Sequence, residues 1–456
     1  MSSGAEIYLW GSKIGTVFQK DEHSIPRFNY DKNFVESGIQ ISPITMPLSE
    51  QVYSFPGLRE ETFHGLPGLL SDSLPDKFGT RIMDSYLAKL GRSENSLTAV
   101  ERLCYVGSRG MGALEFIPQM GMGIPDQSID IDELAELADK ILSERKDIKI
   151  KADEQAMEQL IKVGTSAGGA RAKALIAWNE KTRDIRSGQI DAGDGYGYWL
   201  LKFGTVLNNR DKDKEADSKE YSKIEFAYSL MAKDAGIKMS ECRLLKSDEG
   251  MHFMTRRFDR ELDSGRKIHM QSLGGLAHFD FNAPGVHSYE QAAEIVKRLG
   301  LPINDMEQIF RRLVFNEVAK NYDDHVKNVS FLMDRYGKWR LAPAYDMTFS
   351  YNPNSVWTSA HQMSINGKRE SLTLADMKTC GLNMDLSERK VKKVLQEVIA
   401  TVRAWERYAE YVGLSEVNMK YVKKFHRYSE EYRDYMADTK LLNGLQENKC
   451  SAYVEF

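Results

Sequence analysis

The polar residues best suited to chemistry lie in a short loop, Asn321-Tyr-Asp-Asp-His-Val-Lys-Asn328, between a long helical pattern and a pair of strand patterns. Phosphoryl transfer needs a carboxylate that orients the nucleophile and accepts its proton, and oxygen ligands that hold magnesium on the phosphates. Protein kinases carry these groups on a loop in which an Asp precedes an Asn by five positions. Asp323 and Asn328 have this spacing, and Asp346 follows the strand pair, where a second metal-binding Asp is expected.

A kinase also needs a strand lysine that contacts the phosphates and a helix glutamate that holds this lysine. Lys202 ends the strand pattern YWLLKF, and Glu225 lies in the first turn of the next helix pattern. Taken singly, either residue could be an ordinary surface residue. The chain nevertheless has a Gly-rich loop, a strand Lys, a helix Glu, Asp-x4-Asn and a further Asp in this order. This order predicts an ATP- and magnesium-dependent protein kinase.

The elements that must position these residues can be predicted from the spacing of apolar residues. Residues 6–18 predict two short strands joined by a turn at Gly11-Ser12-Lys13. Gly236 is expected to end a helix that begins near 224. The other helices are predicted from 130, over 153–163, over 304–321 and over 391–405, and the other strands over 173–178, 198–203, 328–334 and 338–343.

Composition narrows the class of protein. A chain of 456 residues is too long for one ordinary core, and 42% hydrophobic with 28% charged residues is typical of globular proteins. The net charge of -4 argues against a chain that wraps bare nucleic acid. Four scattered cysteines indicate neither a zinc ribbon nor a disulfide framework. The absence of a signal-like or long apolar segment predicts a cytoplasmic protein with no membrane partner.

Six motifs give the chain a family resemblance. They are SDSLPD (71–76), YVGSRGMGAL (105–114), SAGGARAKAL (166–175), RRFDR (256–260), DDHVKN (323–328) and APAYD (342–346). Through them the chain resembles, over nearly its whole length, the HipA family of bacterial serine/threonine kinases, the toxin half of a toxin–antitoxin pair. The resemblance implies an α+β fold of the bilobal protein-kinase type. Its units are a strand-rich N-terminal subdomain (1–118), a kinase N-lobe (119–258) and a helical C-lobe (259–456).

The resemblance also implies roles for individual residues. Asp323 would be the catalytic base, Asn328 and Asp346 would ligate magnesium, and Lys202, held by Glu225, would contact the ATP phosphates. Ser166 stands where the family carries a regulatory autophosphorylated serine, although Thr165 beside it leaves open which hydroxyl is modified. The remaining nucleotide-binding residues are a phosphate loop (Gly168, Gly169, Ala170, Arg171, Ala172, Lys173), a hinge that receives adenine through backbone groups (Arg256, Arg257, Phe258), and His325, Lys327 and Tyr345. Arg256 departs from the acidic hinge residue of the best-known members.

The partners implied by the resemblance are a protein substrate and a helix-turn-helix antitoxin of HipB type. An aminoacyl-tRNA synthetase or another translation factor is the substrate class that the family suggests. DNA would be contacted only through the antitoxin, because the sequence shows no convincing helix-turn-helix of its own. The alternative is a corepressor that keeps the fold and acts mainly through the antitoxin. Intact Asp323, Asn328 and Asp346 favour a working enzyme.

The segment 164–171 also matches two motifs of other protein classes, the nucleophile motif of serine hydrolases and the phosphate-binding Walker loop. Residues 164–168 match G-x-S-x-G, but a serine hydrolase needs a strand before the serine and a helix after it, and the predicted order here is reversed. A hydrolase is therefore a remote alternative. The segment also matches the glycines of a Walker loop, but Ala170 and Arg171 replace its Lys-Ser/Thr pair and no helix follows.

Overall fold

The computed structural model describes residues 3–89, 91–92, 97–120, 128–143, 171–206, 220–248, 250–427 and 453–455. The predicted helix over 153–163 lies outside these ranges, as do Thr165, Ser166 and the first half of the predicted phosphate loop, 168–170. No helix in the described ranges is long and apolar enough to cross a membrane.

The N-terminal part of the chain is built on a five-stranded antiparallel sheet with the order β4-β3-β2-β1-β5. Trp10 and Gly11, both with positive φ, form the turn between the first two strands, one residue earlier than predicted, and Ser12 already pairs with Leu9. A two-residue turn with two positive φ angles suits the twist of a hairpin. The strands are β1 (Ser3–Leu9), β2 (Ser12–Gln19), β3 (Arg27–Tyr30), β4 (Val52–Tyr53) and β5 (Leu114–Ile117).

The N-terminal part also contains five helices that the sequence pattern did not predict. Three of them have only four or five residues, too short to show helical periodicity. The helix α5 begins with a capping box between Thr98 and Glu101. The helices are α1 (Lys32–Glu36), α2 (Glu60–Phe63), α3 (Gly68–Ser71), α4 (Lys77–Lys89) and α5 (Ala99–Val106).

A second sheet of six strands follows, in the order β14-β9-β10-β8-β6-β7, and it is antiparallel except between β14 and β9. Trp178, Trp199 and Met254 from its strands are buried together with Leu134 of helix α6. The strands predicted over 173–178 and 198–203 are therefore present. The elements are α6 (Ile131–Ser143), β6 (Lys173–Trp178), β7 (Ile185–Ser187), β8 (Gly197–Lys202), α7 (Tyr221–Asp234), β9 (Cys242–Lys246), β10 (Met251–Arg256) and, at the end of the chain, β14 (Tyr453–Glu455).

The rest of the chain is mainly helical and contains one three-stranded antiparallel sheet. Helix α10 ends at Val318, three residues before the predicted end, and Lys320 just beyond it has a positive φ of 59°. Gly236 follows the end of α7 with a φ of 77°, as predicted. The elements are β11 (His269–Ser272), α8 (Leu273–Ala277), α9 (Tyr289–Arg298), α10 (Ile303–Val318), a 3-10 turn (Val326–Asn328), β12 (Ser330–Met333), β13 (Trp339–Leu341), α11 (Leu374–Asn383), α12 (Glu388–Arg403), α13 (Trp405–Tyr411) and α14 (Glu416–Phe425).

Several polar contacts join the N-terminal part to the rest of the protein, among them those of Asp72 and Asp259. Asp72 accepts hydrogen bonds from the backbone N–H and the hydroxyl of Ser272, at 2.5 and 2.7 Å. Asp259, just beyond β10, accepts the backbone N–H of Gly112 at 2.8 Å and is fully buried. The N-terminal part therefore contacts both the helical part and the segment between the two. The mixed fold with antiparallel sheets agrees with the predicted α+β class.

Candidate functional site

Three residues from distant parts of the sequence meet at the end of β8, an inner strand of the six-stranded sheet. The Nζ of Lys202, at the end of β8, lies 2.5 Å from Oε1 of Glu225 in α7. The same Nζ lies 2.5 Å from Oδ1 of Asp346, which follows β13. The side chain of Glu225 is 1% exposed and that of Lys202 is 14% exposed. One lysine therefore bridges the helix glutamate and the aspartate that the sequence assigned to magnesium.

Burial and charge act against each other in this cluster. Burial lowers the pKa of Lys202, but the carboxylates of Asp346 and Glu225 outweigh it and hold this pKa above its ordinary value. Burial raises the pKa of Glu225, and Lys202 partly counters this effect. Glu225 Oε2 is buried and accepts no hydrogen bond from the described residues. Two carboxylates thus share one cation, an arrangement that favours binding of a further positive charge.

The loop that contains Asp323 is fixed by Asn328. The amide Nδ2 of Asn328 donates to the backbone carbonyl of Asp323 at 2.7 Å, and its backbone N–H donates to the carbonyl of His325 at 2.8 Å. This contact leaves the amide oxygen of Asn328 as the atom available to a ligand. Asn328 and Asp346 line the same small cavity, together with Tyr345 and His325. Asp346 itself has a left-handed backbone with φ of 56°, which Asp tolerates better than most residues.

This donor set fits magnesium. The amide oxygen of Asn328 and the carboxylate of Asp346 are hard oxygen ligands, and Mg²⁺ in such sites takes its other ligands from phosphates and water. Within the described ranges, no group of three or more His, Cys, Asp or Glu side chains could hold a metal ion alone. A metal at Asn328 and Asp346 would therefore depend on bound phosphate for the rest of its coordination. When bound, it would neutralise charge on the phosphates.

Of the predicted phosphate loop, the structure describes Arg171, Ala172 and Lys173. Lys173 begins β6 and is buried, with its Nζ 2.7 Å from Oδ2 of Asp76 in the N-terminal part. Burial raises the pKa of Asp76, and the lysine opposes that shift. The guanidinium carbon of Arg171 lies 3.2 Å from the ring centre of Tyr221 in α7. The sequence did not predict that the end of this loop is tied to the N-terminal part.

The predicted hinge is largely occupied by contacts within the protein. The backbone N–H of Arg256 donates to the carbonyl of Glu241, and that of Arg257 donates to the carbonyl of Tyr198. The buried Arg257 side chain binds Asp259 through two nitrogens, at 2.9 and 2.8 Å. Neither of these two N–H groups is available to adenine. Of the three predicted hinge residues, Phe258 is therefore the one whose backbone N–H could donate to adenine. The ring centre of Phe258 lies 5.3 Å from that of Tyr345.

Two other predicted residues, His325 and Lys327, lie in the Asp323 loop, and a third, Tyr345, contacts it. The Lys327 Nζ lies 4.7 Å from the ring centre of Phe281, and the His325 ring centre lies 5.9 Å from it. The Tyr345 hydroxyl bonds Ser330 Oγ and the carbonyl of Lys327, both at 2.5 Å. The hydroxyl of Tyr345 therefore holds the loop, and its ring is the part that faces Phe258.

Sequence reasoning missed two groups of residues. Asp76 has no predicted role beyond its place in the motif at 71–76, and Asp324 has none beyond its position next to Asp323. In the structure Asp324 is buried and binds His361 and Tyr289. The one available signal was the doubled Asp of DDHVKN, because two adjacent carboxylates in a loop seldom share one role. His361 carried no signal, since its partners are distant in sequence.

The chain matches two protein families in tandem. Residues 5–117 match the HipA N-terminal domain, and residues 165–405 match the HipA-like C-terminal domain. The second match covers more than half of the 456 residues. The chain therefore belongs to the HipA family, as the sequence motifs predicted.

The structure is similar to a chain of the solved Shewanella oneidensis MR-1 complex of the toxin–antitoxin proteins HipA and HipB with operator DNA. The TM-score is 0.65 at 17% identity, over 92% of this chain and 95% of the other, which establishes a shared fold. A likeness to CtkA, a proinflammatory kinase of Helicobacter pylori, is too weak to compare folds. Its TM-score is 0.37 at 11% identity, over 59% of this chain and 89% of CtkA.

Among curated proteins the chain is similar to Y4dM of Sinorhizobium fredii, which is named as a kinase. The two are 26% identical over 211 residues, which is 41% of this chain and 50% of Y4dM. The chain thus matches about half the length of this curated relative.

Proposed function

We propose that this protein is an ATP- and magnesium-dependent serine/threonine protein kinase. The observation that carries the proposal is the contact of Lys202 with both Glu225 and Asp346, at 2.5 Å each. A lysine held by a helix glutamate beside a metal-binding aspartate is what phosphoryl transfer requires of the protein. The loop with Asp323 and Asn328 supplies the remaining groups.

In the proposed reaction, ATP phosphates replace Asp346 as the partner of Lys202, while Glu225 keeps the lysine in place. Asp346 and Asn328 would then hold magnesium. Asp323 would orient a serine or threonine hydroxyl and accept its proton. The hydroxyl oxygen forms a bond to the γ-phosphorus, the bond from that phosphorus to the β–γ bridging oxygen breaks, and ADP leaves. Positioning and charge, more than covalent help, lower the barrier.

The first test compares wild type with Asp346→Asn for transfer of labelled γ-phosphate to the protein itself and to casein. Asp346→Asn removes an anionic ligand from magnesium, so we expect phosphate transfer to fall at least 100-fold and magnesium-dependent ATP binding to weaken. Calorimetric titration with ATP, with and without magnesium, measures the second effect. A wild-type protein that transfers no phosphate but binds a helix-turn-helix protein would instead support the corepressor alternative.

We further propose that this kinase is the toxin of a type II toxin–antitoxin system. Membership of the HipA family and the fold shared with a chain of the HipA–HipB–DNA complex support this role. The partner would be a HipB-type helix-turn-helix antitoxin that makes the DNA contact, and the substrate would be a protein such as a translation factor. Co-purification with the product of an adjacent short gene, and growth arrest that depends on Asp323, would test the role.

Regulation at Ser166 is proposed from charge. A phosphate there would add about -1.5 to -2 charge near the predicted phosphate loop, and it would compete with the ATP phosphates. We expect protein incubated with ATP and magnesium to gain one phosphate at Ser166, or at Thr165, and to lose ATP affinity. Peptide mass spectrometry locates the group, and calorimetry compares both forms with Ser166→Ala. Equal affinity and activity in both forms would contradict the idea.

A further inference from the structure

His361, a buried histidine far from Asp323 in sequence, contacts Asp324, the residue next to Asp323. His361 is 0% exposed, and its Nδ1 lies 2.6 Å from Oδ2 of Asp324. Its Nε2 lies 3.0 Å from Oε2 of Glu317, in the last turn of α10. Because ionised carboxylates only accept hydrogen bonds, both ring nitrogens must donate. His361 is therefore an imidazolium that joins helix α10 to the loop of Asp323.

Both carboxylates are further saturated with donors. Asp324 also accepts the Tyr289 hydroxyl at 2.8 Å and the backbone N–H of Gln362 at 2.7 Å. Glu317 also accepts the Tyr322 hydroxyl at 2.6 Å and contacts Arg427, and its Oε2 lies 3.8 Å from Lys320 Nζ. The network therefore contains two carboxylates, Glu317 and Asp324, and, besides His361, two cations, Lys320 and Arg427. A satisfied buried network of this kind holds one geometry.

This network restrains the neighbouring residue Asp323. Its backbone is fixed on one side by Asn328, which donates to the Asp323 carbonyl, and on the other by the anchored side chain of Asp324. A second tie to α10 runs through Tyr289, whose hydroxyl donates to Asp324 and accepts a hydrogen bond from Asn316 Nδ2 of α10 at 2.9 Å.

We infer that His361 is a positioning residue, which keeps Asp323 oriented toward the substrate hydroxyl by clamping Asp324 against helix α10. The inference rests on the proposed kinase function. Because the His361 ring is fully buried and bound to Asp324 and Glu317, its loss should slow transfer without weakening nucleotide binding. A misplacement of about 1 Å at the reacting group can cost about 100-fold in rate.

The test replaces His361 by Asn and compares it with His269→Asn. His269 is a matched control because it is also 0% exposed, and its ring is hydrogen-bonded neither to Asp324 nor to α10. We expect His361→Asn to lower kcat for phosphate transfer about 100-fold with KM for ATP changed less than about twofold. We expect His269→Asn to keep the wild-type kcat. Wild-type kcat in His361→Asn, or an equal loss in both variants, would overturn the inference.

Two further variants keep the test decisive if His361→Asn does not fold. Tyr289→Phe removes one bond to Asp324 and leaves His361 in place, so we expect a smaller loss of kcat at constant KM. His361→Gln has a longer side chain than Asn, so its amide can donate near the position of Nε2, and it should recover part of the rate. Unchanged kcat in both would overturn the inference. A wild-type protein without phosphate transfer would contradict the proposed function instead, because no variant could then be compared.

The pH profile gives a readout that a purely structural role would not move. Burial lowers the pKa of His361, but Asp324 and Glu317 outweigh it and raise this pKa to about 9. Other groups facing the network are Tyr289, Tyr322, Lys320 and Arg427. The wild-type kcat should therefore fall as the pH rises through about 9, while His361→Gln, which cannot titrate, should lack that step. A wild-type step that persists unchanged in His361→Gln would count against the assignment.

Discussion

Replacing Asp323 with alanine is expected to lower the rate of phosphate transfer by about 10²–10⁴, the usual cost of losing a general base. The affinity for ATP should change little, because the base acts on the hydroxyl of the acceptor and not on the nucleotide. The backbone carbonyl of Asp323, which Asn328 binds at 2.7 Å, remains in the variant. The loop should therefore keep its shape while it loses the proton acceptor.

Single-turnover transfer of labelled phosphate at saturating ATP measures the rate, and calorimetry measures ATP affinity. Asp263→Ala is a suitable control, since Asp263 is an exposed aspartate in the turn before β11 and should behave as wild type. Normal transfer by Asp323→Ala would assign the base to another residue. A large loss of ATP affinity would instead indicate that the change had disturbed the magnesium site.

The polar residues that lie at a fixed spacing could be located from the sequence. Asp323 and Asn328 lie five positions apart on one loop, and Lys202 ends a strand whose apolar pattern is plain. The meeting of Lys202, Glu225 and Asp346 at 2.5 Å required the fold, but their order along the chain was enough to propose it. Local pattern sufficed because Lys202 ends a strand, Glu225 lies within the helix that follows, and Asp346 comes after the last strand pair.

The hinge could not be assessed from the sequence. Whether a backbone N–H can bind adenine depends on which strand already uses it. The N–H groups of Arg256 and Arg257 go to Glu241 and Tyr198, partners that strand pairing alone determines. In the same way, the salt bridge of Lys173 with Asp76 joins residues 97 positions apart and has no local signature.

Local sequence pattern also predicts only some of the helices and strands of the N-terminal part. The hairpin of β1 and β2 could be predicted because apolar residues alternate along both strands. The helices α2 and α3 have four residues each, barely one turn, and such helices are stabilised by tertiary packing and not by a periodic face. Phe63 and Leu70 in them are buried against the rest of the protein.

Replacing Lys202 with methionine is expected to abolish phosphate transfer and to destabilise the protein. The change leaves Glu225, which is 1% exposed, without its cation, and breaking a buried pair in this way commonly costs about 3–5 kcal/mol. Burial already raises the pKa of Glu225, and loss of Lys202 removes the effect that opposes this. The carboxyl is then neutral in the folded state over a wider pH range than in the unfolded state. Stability should therefore fall as the pH rises above about 4.5.

Urea denaturation at pH 5 and pH 8 measures this difference, and a second substitution separates stability from catalysis. In Lys202→Met combined with Glu225→Gln no buried charge is left at position 225. The double variant should recover most of the lost stability at pH 8, yet transfer no phosphate, because nothing then contacts the ATP phosphates in place of Lys202. Lys238→Met is the control, since Lys238 is 65% exposed and such surface pairs contribute about 0–1 kcal/mol.

If Lys202→Met were as stable at pH 8 as at pH 5 and still active, then Lys202 would be neither the partner of a charged Glu225 nor the phosphate ligand. If the double variant recovered both stability and transfer, the Lys202–Glu225 pair would have only a structural role. Another cation would then contact the ATP phosphates.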